Sequence, residues 1–188
     1  MIQIPIRVPP LGTQEVRAYL FLLFIDNSEL DANKKDEVRK RICQRLGESW
    51  QGRTVDREFV ASLIERCPDK LKSQFELADR IAPILTTSKQ IKGNPRLIKR
   101  FLNTLSIRLA MAASQQVTVD EATLTKMLLF ERCGDEKAYY ALQQHINQRD
   151  DGKPIMLKAW EESVTKGEKP ELSAPWTGEF MLDWLAAR

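Results

Sequence analysis

The chain has 188 residues, of which 43% are hydrophobic and 29% are charged, with 29 lysines and arginines against 26 aspartates and glutamates. This hydrophobic content is enough for a buried core, whereas a net charge of +3 is too small to attract nucleic acid or a membrane surface by bulk electrostatics. The longest apolar run, residues 19–25, is far shorter than the roughly 20 residues that span a bilayer. Without a secretory signal pattern either, we expect a soluble, cytoplasmic protein that makes no membrane contact.

The residues that most often bind metals or carry out catalysis are sparse. Cys43, Cys67 and Cys133 are widely separated and form no C-x-x-C pair, which argues against a disulfide framework and predicts no metal site. His145 is the only histidine, and we expect a structural or surface role for it because nothing nearby suggests a catalytic pair.

The N-terminal residues predict an extended segment that leads into a helix. Residues 2–8 alternate between apolar and other side chains, as in a strand, but Pro5 cannot donate to a ladder, so this is an edge strand or an extended tail. We assign residues 1–11 to this segment. Thr13 is the predicted N-cap of a helix from Gln14 to Asp26.

The middle of the chain has helical periodicity. It predicts a helix from Ala32 to Trp50, a shorter one capped by Asp56 or Thr54, and a long one over residues 69–89 that Pro83 should kink or divide. The first of these carries a basic cluster, interpreted as a solvated face because two acids interrupt it. Its cations are Lys34, Lys35, Arg39, Lys40 and Arg41.

The C-terminal part predicts further helices, one with a capping box of Thr118 and Glu121, the next over residues 135–149, and short ones over residues 155–164 and 180–187. We therefore predict an all-α fold, a compact bundle of about six to eight helices. Its helical domain would cover residues 12–150 and a tryptophan-rich helical tail residues 151–188. The tail tryptophans should dock on the helical body, the alternative being a surface for a partner protein. They are Trp160, Trp176 and Trp184.

The run GNPRLIKRFLN, from Gly93 to Asn103, predicts a helix that begins near Asn94 and continues to about Ala113. Arg96, Lys99 and Arg100 fall on one face, Lys92 precedes the turn, and apolar residues form the opposite stripe. Free N–H groups and partial positive charge at a helix start, together with guanidinium groups, suit a phosphate. The alternative interpretation is a solvated basic face.

This run resembles the sensor-2 motif of KAP-family P-loop NTPases, in which a Gly-Asn-Pro-Arg turn opens a helix of the lid subdomain. Arg96 occupies the position of the arginine that reaches the terminal phosphate of the nucleotide. Residues 2–20 are also similar to the segment that leaves the nucleotide-binding core and enters the first lid helix. With the C-terminal run FMLDWLAAR, the chain most resembles the ATPases of Qat anti-phage defence systems.

The resemblance implies that Arg96 contacts the γ-phosphate of ATP with support from Arg100, and that Lys92, Lys99 and Asn94 are lesser phosphate-binding candidates. It implies ATP and Mg²⁺ as cofactors of the complete protein, and as partners a P-loop core and other proteins of the defence system. No G-x-x-x-x-G-K-[ST] sequence is present, so we expect the chain to be the C-terminal, lid-bearing part of a larger NTPase. Alone it should neither hydrolyse ATP nor bind a cofactor tightly.

Two other classes of function fit the same fold. The first is a helical protein-interaction module that uses no nucleotide. The second is a nucleic-acid-binding domain that uses residues 34–41 and 92–100, against which the nearly balanced net charge argues.

Overall fold

The computed structural model describes residues 10–148 and 152–186, and it confirms the all-α prediction. Over these ranges the chain forms nine α-helices and one 3₁₀ turn, where the sequence predicted about six to eight helices. The helices are α1 (Thr13–Asp26), α2 (Ala32–Gly47), α3 (Arg57–Ser62), α4 (Asp69–Thr87), α5 (Pro95–Ser114), α6 (Glu121–Cys133), α7 (Glu136–Asn147), α8 (Ile155–Thr165) and α9 (Glu179–Ala186), and the 3₁₀ turn is Ser49–Gln51. The predicted extended segment at residues 2–8 lies outside the described residues.

The contacts divide the chain into two compact units. The first contains the described residues up to Thr87 together with Ile91–Arg100, and the second contains Ser88–Gln90 and the residues from Phe101 onward. Helix α5 therefore contributes its first turns to one unit and the rest of its length to the other.

The first unit is built around the packing of α1 on α4. The rings of Phe21 and Phe75 meet edge to face with centroids 5.1 Å apart, and Arg17 lies against Asp79 one turn away. Since the partner number falls as the α1 number rises, the two helices are antiparallel. Val16, Leu20 and other apolar residues of α1 are fully buried here, and burial of this kind is the main stabilising contribution of the core.

Several predicted helix boundaries are wrong by a few residues. Thr13 is already helical and Gly12 is the N-cap, without a side-chain hydrogen bond. Helix α2 ends at Gly47 and not at the predicted Trp50, whose indole is 81% exposed. Pro83 lies inside α4 without dividing it.

Four of the nine described α-helices are capped by aspartates, which accept hydrogen bonds from free backbone N–H groups. Asp120, not Thr118, caps α6, and its carboxylate accepts a 2.7 Å hydrogen bond from the N–H of Thr123. The capping aspartates are Asp31, Asp56, Asp120 and Asp135.

In the second unit the tail packs on α6 and α7. Trp184 is 1% exposed, its ring centroid lies 4.7 Å from that of Phe130, and its indole Nε1–H donates a 2.6 Å hydrogen bond to the carbonyl of Lys126. Trp176 is also buried, and its Nε1–H donates to the carbonyl of Ala138 at 3.2 Å. The predicted docking of the tail is therefore confirmed at these two tryptophans.

Candidate functional site

The turn before α5 requires a glycine for two independent reasons. Gly93 has a φ of +63°, in the left-handed region that favours glycine, and its N–H donates to the carbonyl of Leu85 at 2.9 Å. A Cβ at this position would also lie 2.3 Å from the carbonyl oxygen of Leu11. The segment that leads into α1 therefore lies directly against the Gly93 turn, so the two segments that carry the family resemblance are in contact.

Asn94 caps α5 and uses the hydrogen-bonding capacity of its first turn. Its side-chain Oδ1 accepts from the N–H of Arg96 at 3.0 Å and from that of Leu97 at 3.4 Å. Its carbonyl accepts from the N–H of Ile98 at 3.0 Å, and Pro95 has no N–H to offer. The expectation of free N–H groups at this helix start is therefore wrong, and an anion here must bind to side chains.

Side chains of the predicted site are available for that purpose. Lys92, Arg96, Lys99 and Arg100 are all exposed. None of the described residues forms a salt bridge with Lys92, Arg96 or Lys99. The opposite face of α5 is buried, which confirms the predicted amphipathic helix; its most buried members are Ile98, Phe101, Leu102 and Leu105. A phosphate contact by any of these cations stays a prediction.

The basic cluster on α2 is largely paired with acids of its own surface. Lys34 binds Glu37 at 2.9 Å, while Arg39 and Lys40 bind Asp36 at 3.3 and 2.8 Å. The hydrogen bond and charge of Lys40 lower the pKa of Asp36. This pairing supports the interpretation of the cluster as a solvated face.

The cysteines and the histidine form no reactive centre in the part of the chain that the structure describes. Burial raises the pKa of the Cys67 and Cys133 thiols, which disfavours the nucleophilic thiolate. His145 is exposed, with its ring 5.9 Å from that of Trp176. No group of three or more His, Cys, Asp or Glu side chains among the described residues could hold a metal ion. No helix within the described ranges is both long enough and apolar enough to cross a bilayer.

Arg17 and Asp79, the ion pair between α1 and α4, were not singled out by the sequence. Arg17 Nε lies 3.0 Å from Asp79 Oδ1, yet the N–H is not aligned for a hydrogen bond and neither atom has another such partner. Burial of the carboxyl outweighs the attraction of Arg17 and raises the pKa of Asp79. No local motif could have predicted this pair, because it depends on the packing of two distant helices.

In this all-helical fold, Asn94 caps the start of α5, and exposed cations follow on the first turns of that helix. Residues 1–112 match the family model described as the KAP family P-loop domain. The chain therefore belongs to the KAP family of P-loop NTPases, which points to a function related to NTP binding or hydrolysis. No curated protein and no solved structure matches it significantly.

Proposed function

We propose that this chain supplies the lid of a KAP-type ATPase and that Arg96 contacts the terminal phosphate of bound ATP. The observation that carries the proposal lies at the start of α5. There Asn94 accepts the hydrogen bonds of the backbone N–H groups, and the exposed guanidinium of Arg96 forms no salt bridge with a described residue. A planar guanidinium binds phosphate oxygens in pairs, so it suits this role better than a lysine.

The neighbouring residues have graded roles in this proposal. Arg100 lies one helical turn beyond Arg96 and Lys99 lies beside it, so both add positive charge around the same phosphate. Lys92 lies within the turn, beside Gly93, and its exposed side chain adds a further positive charge there. Asn94 acts on Arg96 indirectly, because its side chain fixes the backbone from which the arginine extends.

The contact between the Gly93 turn and Leu11 supplies a route from nucleotide to movement. When the arginine binds the γ-phosphate, α5 is drawn toward the nucleotide, and the turn carries the start of α1 with it because their backbones are in contact. Hydrolysis removes the γ-phosphate and releases both helices. The lid therefore converts nucleotide state into movement of attached helices or partners.

Phosphoryl transfer itself belongs to a P-loop core, since no P-loop sequence is present in this chain. That core would hold Mg²⁺ and the β-phosphate. We accordingly expect the purified chain to show no ATPase activity. Mg²⁺-dependent turnover that persists through repurification and is abolished by Arg96→Ala would contradict this division of roles.

The test of the phosphate contact compares ATP with ADP on the purified chain by NMR titration. We expect weak binding in the range of about 1 mM or above, with ATP favoured over ADP severalfold because only ATP has the γ-phosphate. Arg96→Ala should remove the preference for ATP. Arg132→Ala is the matched control, an exposed arginine on α6 that should leave the preference unchanged.

Equal affinity for ATP and ADP, or loss of the preference in both variants, would contradict the proposed role of Arg96.

The nucleic-acid alternative is disfavoured because the basic cluster of α2 is largely paired with acids.

We further propose that the complete protein is an anti-phage defence ATPase of the Qat type and that it acts in the cytoplasm with other proteins of its system. The support is the resemblance of residues 2–20, the Gly93 turn and the C-terminal run. Loss of phage protection on Arg96→Ala in the native operon, at unchanged protein level, is the expected result. Full protection by that variant would separate the chain from nucleotide-driven defence.

A further inference from the structure

A concave surface in the first unit is lined by none of the residues that the nucleotide proposal uses. Its volume is about 160 Å³, and it is formed by the end of α2, the loop after the 3₁₀ turn, and α3. The polar and aromatic side chains that line it are Arg41, Gln44, Arg45, Glu48, Arg53 and Phe59.

The charge around this cavity is positive and partly uncompensated. Arg53 is paired with Glu48, which leaves two of the three arginines without a carboxylate among the described residues. Arg41 is exposed and forms no salt bridge with any described residue. The cavity therefore offers charge to a carboxylate that is not supplied from within the described chain.

Arg45 is held in place before any ligand arrives. Its Nε donates a 3.0 Å hydrogen bond to the carbonyl of Thr54, and its guanidinium carbon lies 4.3 Å from the ring centroid of Phe59. A stacked guanidinium of this kind loses little side-chain freedom on binding and keeps its remaining N–H groups for a ligand. The rim of the cavity is therefore pre-organised for a planar anion.

An exposed tryptophan lies in the 3₁₀ turn between α2 and α3. Trp50 follows Glu48 by two residues and is 81% exposed, although an indole gains most from burial. Tryptophan and arginine are the residues that most often dominate binding energy in protein interfaces. Their combination here is typical of a protein-binding surface.

We infer that this cavity and Trp50 bind an acidic segment of a partner protein. One carboxylate would pair with Arg41 and Arg45, and an apolar side chain beside it would pack on Phe59 and Trp50. A nucleic-acid backbone fits less well, since the neighbouring Lys40 is paired with Asp36 and adds no free charge beyond the cavity. The free charge is thus confined to a pocket and does not form the stripe that a phosphate backbone follows.

The experiment measures, by fluorescence anisotropy, the binding of the purified chain to a fluorescein-labelled peptide that is rich in glutamate and has one central phenylalanine. We expect Arg41→Glu to weaken binding by at least about tenfold, because the reversal replaces attraction with repulsion at the carboxylate. Arg39→Glu is the matched control; it makes the same charge reversal two residues away, at an arginine outside the cavity, and should change affinity by less than about threefold. Trp50→Ala should also weaken binding.

Circular dichroism should show that both charge variants remain folded, because both arginines are exposed. Equal weakening by Arg41→Glu and Arg39→Glu would reduce the effect to bulk charge and overturn the inference. Absence of peptide binding at a protein concentration of about 1 mM would also overturn the inference, because that concentration is well above the Kd of weak specific complexes. Tighter binding of a labelled thymidine oligonucleotide, lost in Arg41→Glu, would assign the surface to nucleic acid instead.

Discussion

Replacing Trp184 with alanine removes the largest fully buried side chain that the structure describes. Burial of about 200 Å² of indole at about 25 cal/mol per Å² gives an upper bound of about 5 kcal/mol. Large-to-small aromatic substitutions in cores cost about 3–5 kcal/mol, which agrees with that bound. The substitution also leaves the carbonyl of Lys126 without the 2.6 Å hydrogen bond from the indole.

We therefore expect Trp184→Ala to lower the free energy of unfolding by about 3–5 kcal/mol, a large share of the 5–15 kcal/mol typical of a domain. The measurement is urea unfolding followed by far-ultraviolet circular dichroism. Trp50→Ala is the matched control, the same change at an indole that is 81% exposed, and should stay within about 0.5 kcal/mol of the native chain. Similar losses in both variants, or an unchanged transition in Trp184→Ala, would refute the docking of the tail on α6.

Two further predictions concern the first unit. Gly93→Ala should destabilise the chain by more than the roughly 1 kcal/mol expected from its φ alone, because the new Cβ would lie 2.3 Å from the Leu11 carbonyl oxygen. Gly52→Ala, with a φ of +78° and no atom within 4 Å of the added Cβ, is the urea-unfolding control, and an equal cost would contradict the close contact. Because its pKa is raised in the folded chain, the carboxyl of Asp79 contributes fully to stability below its ordinary pKa of 3.8. That contribution is lost as pH rises through the raised pKa. The stability advantage of the native chain over Asp79→Asn should therefore shrink toward neutral pH; an advantage that grows would show that Arg17 dominates.

Local chemistry allowed much of the fold to be predicted from the sequence. The start of α5 follows from Gly93, Asn94 and Pro95 because each acts on its own turn, and the buried stripe follows from helical spacing. The predictions at Trp50 and Thr118 failed because alternative local solutions competed: a 3₁₀ turn ended α2, and Asp120 displaced threonine as the cap. Propensity alone does not decide between such neighbours.

The candidate site was only partly accessible from sequence. The cationic face of α5 is a local property, but the contact of Gly93 with Leu11 joins segments far apart in the chain. The consumption of the helix-start N–H groups by Asn94 depends on its rotamer, which composition does not specify. Arg45 and Phe59 likewise come together only through the packing of α2 and α3.

The most direct test of the nucleotide proposal is steady-state ATPase turnover by a protein of the proposed composition, in which a P-loop core is joined to residues 1–188. We expect Arg96→Ala to lower kcat by roughly 10- to 1,000-fold, as expected for the loss of a charge that stabilises the transferring phosphoryl group. Arg132→Ala, prepared in parallel, should keep normal turnover. Unchanged kcat in Arg96→Ala would contradict the account and leave Arg96 as an exposed cation of α5 without a role in nucleotide chemistry.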